Sequence, residues 1–150
     1  MQSINELFDL TGRTAVVTGA SSGLGENFAR ALAAAGADVV LAARRKERLE
    51  AVQKELETQG RHVLAVACDV TDAADVDKLA AAALERFKKI DVLVNNAGVT
   101  HVAPAESEAA EDFRHVLDVN VTGAFLCLQK CGRAMLEAGR GSIVNIASML

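Results

Sequence analysis

A glycine-rich turn at residues 18–25, Thr-Gly-Ala-Ser-Ser-Gly-Leu-Gly, constrains the fold more than any other stretch of this chain. Residues 14–17 before it are apolar or β-branched, and residues 26–35 after it carry apolar side chains at helical spacing. The stretch therefore predicts a buried strand, a tight turn and a helix. Glycines permit positive φ and a close backbone approach to a ligand, and the amides at a helix start attract anions. An anionic pyrophosphate fits such a turn, although an ordinary strand-helix turn uses glycines in the same way.

Strand-like and helix-like segments alternate along the rest of the chain with short connections. Further strands are predicted at residues 37–42, 63–67, 90–94 and 142–147, and further helices at 46–59, 71–87, 107–119 and 121–138. This alternation predicts an α/β fold in which right-handed crossovers cover both faces of a parallel sheet. We expect a Rossmann-type doubly wound sheet with five strands, built as a single domain over residues 1–150.

Composition and charge argue against several classes of protein. A hydrophobic content of 51% suits one globular domain, and a net charge of −4 with no basic run longer than residues 44–46 argues against a nucleic-acid partner. The apolar stretches are interrupted by charges before they reach the length of a membrane span, and no basic region followed by an apolar segment opens the chain. We expect a cytoplasmic protein with neither a membrane nor a nucleic-acid partner.

The cysteines Cys68, Cys127 and Cys131 show neither a paired framework nor Cys-x-x-Cys spacing. Cys127 and Cys131 are four residues apart on a predicted helix, but no histidine or acid nearby completes a metal site. We expect three buried, small apolar side chains and no metal.

Polar residues follow the predicted strands, at the sheet edge where open parallel sheets bind ligands. Asp69 follows the third strand, Asn95 and Asn96 follow the fourth, and Ser148 follows the fifth. Asn120 lies between two helical stretches, where its amide can bond freed carbonyls or hold a water. Without the other motifs, a capping aspartate or a strand-end serine would explain the same residue types.

The end of the second strand reads Ala42-Ala43-Arg44-Arg45, with no acid to accept a hydrogen bond from an adenosine ribose. A guanidinium group at that place suits a 2′-phosphate, which favours NADP over NAD. The alternative is a solvated helix start, although cations are mildly unfavourable near a helix N-terminus that faces no anion.

Together, the spacing Thr-Gly-x-x-x-Gly-x-Gly, Asp69, the run Asn95-Asn96-Ala97-Gly98, Asn120 and Ser148 resemble the classical short-chain dehydrogenase/reductase family over essentially the whole chain. The resemblance implies hydride transfer between NADP and a carbonyl or secondary alcohol of a small substrate, such as a 3-oxoacyl compound, a sugar or another ketone. It also implies a homodimer or homotetramer.

In that family a Tyr-x-x-x-Lys pair, shortly beyond the position of Ser148, exchanges the proton. This chain contains no tyrosine. The resemblance therefore predicts the N-terminal portion of a reductase, incomplete at its C-terminus and with little or no activity alone. A non-catalytic NADP-binding or assembly module is the alternative.

The resemblance also assigns individual roles. Asp69 would contact the adenine ring, and Asn95 would be mainly structural. Ser148 and Asn120 are the implied catalytic residues: the Ser148 hydroxyl would bind the substrate oxygen, and the Asn120 backbone would position a water in the proton relay. The implied cofactor-binding residues are Gly19, Ser21, Ser22, Gly23, Leu24, Gly25, Arg44, Arg45, Asp69, Val70, Asn96, Ala97 and Gly98.

Overall fold

The computed structural model describes residues 4–148, with side chains from residue 6 onward. In chain order the elements are α1 Ile4–Leu7, β1 Thr14–Thr18, α2 Gly23–Ala34, β2 Asp38–Ala43, α3 Lys46–Thr58, β3 Val63–Ala67, α4 Ala73–Phe87, β4 Val92–Asn95, α5 Ala110–Leu117, a π-helical segment Asp118–Gly123, α6 Ala124–Glu137 and β5 Ser142–Asn145. Every predicted strand and helix is present with ends shifted by a few residues, except that the last two predicted helices are joined into one continuous helical region.

The five strands form one parallel sheet in the order β3-β2-β1-β4-β5. From β1 the chain first builds outward through β2 and β3, and then returns to the other side of β1 to add β4 and β5. The strand order therefore reverses beside β1, and the carboxyl ends of β1 and β4 border the crevice that this reversal creates. The predicted doubly wound α/β fold is confirmed.

Successive side chains along each strand point to opposite faces of the sheet, and they pack into two separate cores, one on each face. Val17 and Leu41 face the core shared with α2 and α3, which includes Leu49 of α3. Val16 faces the core shared with α4 and α6, which includes Leu79 of α4. Burying a leucine of this kind contributes about 1.5–3 kcal/mol, so both helical layers fix the positions of the strand ends.

The helical region after β4 differs from the two separate helices predicted at 107–119 and 121–138. Helix α5, the π-helical segment and α6 follow one another without an intervening turn, and the predicted boundary at residue 120 falls inside the π-helical segment. A helix can contain a wider π turn without ending, and the side chain of Asn120 in this turn bonds to the backbone of Val99 and not to the helix itself.

Helix α6 buries only one face within the described chain, although its apolar composition predicts burial on more than one side. Cys127, Cys131 and Met135 are buried against the sheet. On the opposite side Phe125 is 56% exposed and Leu136 is 83% exposed. An apolar surface therefore remains on the outer face of α6.

The three cysteines are free, buried thiols, as predicted. Burial is the main cause that raises the pKa of Cys68, Cys127 and Cys131 to about 12 in each case. They stay uncharged at neutral pH and pack as small apolar side chains.

Asp91, just before β4, joins three parts of the chain at the amino-terminal edge of the sheet. Its carboxylate is 5% exposed, accepts a hydrogen bond from the Thr14 amide at 3.0 Å, and pairs with Arg13 at 3.2 Å and Arg140 at 3.0 Å. Burial raises the pKa of Asp91, but the Thr14 and Arg13 hydrogen bonds and the charges of Arg140 and Lys89 outweigh burial. The pKa of Asp91 therefore lies below its usual value.

We expect Asp91→Asn to lower the free energy of unfolding at neutral pH by about 2 kcal/mol, less than for a fully buried pair because both arginines are about half exposed. The folded-state pKa of Asp91 lies below the unfolded value of about 3.9. Its stabilisation is therefore present above that pH and is lost as the pH falls through the folded-state pKa. Urea denaturation across the acid range measures both effects.

Glu85→Gln is the matched control, because Glu85 is exposed and makes no ion pair among residues 4–148. It should leave stability and its pH dependence almost unchanged. Identical acid sensitivity of the Asp91→Asn variant and the unmodified protein would contradict the role given to Asp91.

Candidate functional site

A crevice of about 350 Å³ opens at the carboxyl ends of the strands, at the reversal beside β1. Its walls come from the loops that follow β1, β2, β3 and β4, together with Val119 of the π-helical segment. Of the predicted cofactor-binding residues, all but Gly23, Leu24 and Gly25 line it. The lining consists of Gly19, Ser21, Ser22, Ala43, Arg44, Arg45, Cys68, Asp69, Val70, Asn96, Ala97, Gly98, Val99 and Val119.

The glycine-rich loop needs its glycines for two different reasons. Gly19 and Gly23 have positive φ angles of 66° and 60°, which favour glycine over residues with a side chain. Gly25 has an ordinary φ, but a Cβ atom there would collide with the Gly19 carbonyl and the Asn96 amide. Gly25 therefore shapes the crevice from behind, although it does not line it.

Thr18, the last residue of β1, ties the glycine-rich loop to the loop after β4. Its Oγ1 accepts hydrogen bonds from the amides of Asn96 and Ala97, both at 3.0 Å. In return Asn96 Nδ2 donates to the Thr18 carbonyl at 3.1 Å. Asn96 therefore braces the loop as well as lining the crevice. Sequence reasoning missed Thr18, for which the available signal was a hydroxyl residue directly before the first glycine.

Asn95 makes the structural contacts that were predicted for it. It is 4% exposed, and its Nδ2 donates to Asn145 Oδ1 at 2.9 Å and to the Ala124 carbonyl at 3.1 Å. One side chain therefore connects β4 to β5 and to the first residue of α6.

Asn120 lies in the π-helical segment, and both polar atoms of its side-chain amide form hydrogen bonds with the backbone of Val99. Its Oδ1 accepts from the Val99 amide and its Nδ2 donates to the Val99 carbonyl, both at 2.9 Å. Val99 lines the crevice, so Asn120 fixes the wall without lining it. With its side chain occupied, any role of Asn120 in proton relay falls to its backbone, as the family resemblance implies.

Asp69 is a turn aspartate that also lines the crevice. Its Oδ1 accepts from the Thr71 amide at 3.0 Å and from the Thr71 hydroxyl at 2.8 Å, as a turn aspartate does. These two hydrogen bonds are the main cause that lowers the pKa of Asp69, and the charge of Arg44 lowers it further. Asp69 also lines the crevice, so a charged carboxylate stands in its wall.

Arg44 and Arg45 place two guanidinium groups at the rim of the crevice. Arg45 Nη2 donates to Ser21 Oγ at 3.1 Å and to Ser22 Oγ at 2.8 Å. Among the described residues, neither arginine forms an ion pair with a carboxylate. The rim therefore carries two guanidinium groups outside any ion pair among residues 4–148, although the charge of Arg44 acts on the Asp69 carboxylate in the same wall.

Ser148 is the last described residue and lies three positions beyond the end of β5. It is exposed and does not line the crevice. The structure therefore does not gather Asn120 and Ser148, the two expected catalytic residues, inside the crevice.

Residues 4–148 contain no group of three or more histidine, cysteine, aspartate or glutamate side chains placed to hold a metal ion. No helix in the same range has the length and apolar character needed to cross a membrane.

A parallel sheet with this strand order and this crevice defines a Rossmann-type α/β protein. Within that class, the sequence model of the short chain dehydrogenase family matches residues 13–150, and the chain belongs to this family.

Relatives and solved structures of the same family resemble the chain over almost its full length. D-threitol dehydrogenase of Mycolicibacterium smegmatis is 44% identical over 97% of the chain, which spans 56% of that protein. A metagenomic short-chain oxidoreductase in complex with NADP matches with a TM-score of 0.88 and 39% identity, over 94% of this chain and 64% of the other. A 7α-hydroxysteroid dehydrogenase complexed with NADH matches with a TM-score of 0.94 and 33% identity, over 99% and 58%.

Proposed function

We propose that this chain binds NADP in the crevice, as the nucleotide-binding part of an oxidoreductase that acts on a carbonyl or secondary alcohol. The observation that carries the proposal is the guanidinium group of Arg44, which lines the crevice at the end of β2 and forms no ion pair among the described residues. Positive charge at the end of β2 suits a dinucleotide that carries an extra phosphate. The substrate class is a sugar, a 3-oxoacyl compound or another small ketone, and D-threitol dehydrogenase among the relatives favours a sugar or sugar alcohol. The cytoplasmic location stays a prediction.

Arg44 supports NADP over NAD. The residues that close β2 are Ala42 and Ala43, so no carboxylate follows the strand to accept a hydrogen bond from a ribose 2′-hydroxyl. Arg44 lines the crevice at that position and has five donors for a phosphate. Because solved relatives include complexes with NADP and with NADH, the residue type at this strand end is the stronger guide.

The other lining residues supply complementary binding. In this proposal the pyrophosphate lies against the glycine-rich loop at the start of α2, where Gly19, Ser21 and Ser22 line the crevice, and Asp69 contacts the adenine. When bound, a nicotinamide supplies the hydride chemistry. Ser148 is the proposed partner of the substrate oxygen, and Asn120 keeps Val99 in the wall.

We expect Arg44→Asp to lower affinity for NADP by at least about ten-fold, because a charged hydrogen bond to phosphate is lost and a like charge replaces it. Affinity for NAD should hold or rise, because a carboxylate can accept from the ribose. Calorimetric titration with both nucleotides measures the ratio. Arg48→Asp on α3 is the control for charge, and an unchanged ratio in Arg44→Asp would refute the assignment of NADP.

The 150-residue chain should bind NADPH yet reduce no ketone above background. It contains no tyrosine, and none of its crevice-lining residues is a lysine or histidine that could replace a lowered-pKa phenol. Loss of NADPH absorbance, with a ketose and with a 3-oxoacyl thioester, measures turnover. Robust turnover by material of confirmed mass would show that another residue acts as the acid.

The alternative function is a nucleotide-binding or assembly module that never catalyses. Both functions share the crevice, so binding alone does not separate them. A Tyr-x-x-x-Lys motif encoded after residue 150 in the same gene would favour the enzyme.

We further propose that a second copy of the protein covers the outer face of α6, in a homodimer or homotetramer. Phe125, Leu128 and Leu136 are exposed there, and Val144 on the edge strand β5 is 45% exposed. Contiguous exposed apolar side chains and an unpaired strand edge both promote association.

Sedimentation should therefore show self-association or aggregation of the chain, and Phe125→Ser with Leu128→Ser should reduce it. Val102→Ser is the control, because Val102 is 89% exposed but lies in the loop after β4. A stable, soluble monomer across the concentration range would contradict this proposal.

A further inference from the structure

Arg45 links the starts of two helices. Ser22 is the N-cap residue of α2, and Arg45 is the N-cap residue of α3. A single nitrogen, Arg45 Nη2, donates one hydrogen bond to Ser22 Oγ at 2.8 Å and another to Ser21 Oγ at 3.1 Å. The end of the glycine-rich loop is therefore held by a side chain from the loop after β2.

This link determines what the Ser22 hydroxyl does. A serine at an N-cap usually accepts a hydrogen bond from an amide in the first turn of its own helix. Ser22 makes no such bond, and its hydroxyl oxygen accepts from Arg45 instead. The first turn of α2 consequently has no side-chain cap, and its amides are left for an anionic ligand.

The position of Arg45 is electrostatically unfavourable for its own helix. A cation at a helix N-terminus opposes the dipole of that helix by a few tenths of a kcal/mol or more. The two partners of Arg45 are neutral hydroxyls, which offset this cost less than a carboxylate would. The arrangement is better explained by its effect on the loop than by the stability of α3.

We propose that Arg45 is a positioning residue, which holds Ser21 and Ser22 so that the glycine-rich loop is preorganised for a dinucleotide pyrophosphate. This inference rests on the proposed function, and it divides the two arginines. Arg44 discriminates NADP from NAD, whereas Arg45 promotes the binding of both. Preorganisation strengthens binding because the free protein has already adopted the bound conformation.

Arg45→Ala should weaken NAD and NADP equally, by about five-fold each, with the ratio of the two affinities changed by less than about two-fold. In a Ser21→Ala, Ser22→Ala background, the same Arg45→Ala change should cause no further loss, because the hydroxyls through which it acts are gone. Calorimetric titration of the whole chain with each nucleotide gives both results. Arg48→Ala is the matched control: it removes the same charge from the first turn of α3, and Arg48 makes no side-chain contact of this kind among the described residues.

Three outcomes would overturn the proposal. A loss confined to NADP would make Arg45 a phosphate ligand, and an equal loss with and without the serine hydroxyls would mean that it does not act through them. If Arg48→Ala matched Arg45→Ala, general charge would explain the effect. In all three cases the unmodified chain still binds NADP, so the proposed function survives. If the unmodified chain binds neither nucleotide, the proposed function fails and the role of Arg45 fails with it.

Discussion

The hydrogen bonds between Thr18 and the loop after β4 are the interaction on which the crevice depends. At the reversal of strand order, the chain leaves β1 and β4 in opposite directions along the sheet. The loops that follow these two strands are therefore not joined by strand pairing. Thr18 joins the two loops instead. Its hydroxyl oxygen accepts hydrogen bonds from the amides of Asn96 and Ala97, and the Asn96 side chain donates one to the Thr18 carbonyl. These bonds are buried or partly buried, so leaving one unmade would cost about 1–3 kcal/mol. These hydrogen bonds hold the two loops together at one side of the crevice.

Charge is distributed unevenly over the two edges of the sheet. At the amino-terminal edge, the Asp91 carboxylate forms ion pairs with Arg13 and Arg140, and these pairs stabilise the fold. At the carboxyl edge, Arg44 and Arg45 form no ion pair among the described residues, and the charge of Arg44 acts on Asp69, the one carboxylate in the crevice wall. Two guanidinium groups beside one carboxylate leave this wall positive in a protein of net charge −4, which suits an anionic ligand.

Local sequence rules predicted the parts of this structure that depend on local chemistry. Gly19 and Gly23 indicated positive φ angles, and the apolar runs indicated buried strands. The polar residues at the strand ends indicated where the crevice lies. The link from the Thr18 hydroxyl to the loop after β4 and the link from Arg45 to Ser22 could not be predicted. Their partners are distant in sequence, and many serines, threonines and arginines are equally able to form such bonds.

The π-helical segment Asp118–Gly123 has a consequence for how this region can change. A π turn accommodates one extra residue within a turn, so the helix that follows keeps its face even though each α-helical residue advances the side chains by about 100°. Removing one residue from the segment would therefore restore regular winding and leave Cys127 and Cys131 against the core. The deletion would instead change the position of Asn120, which holds Val99 in the crevice wall. A side chain added at Gly123 would collide with Val70, so the segment also restricts substitution at that position.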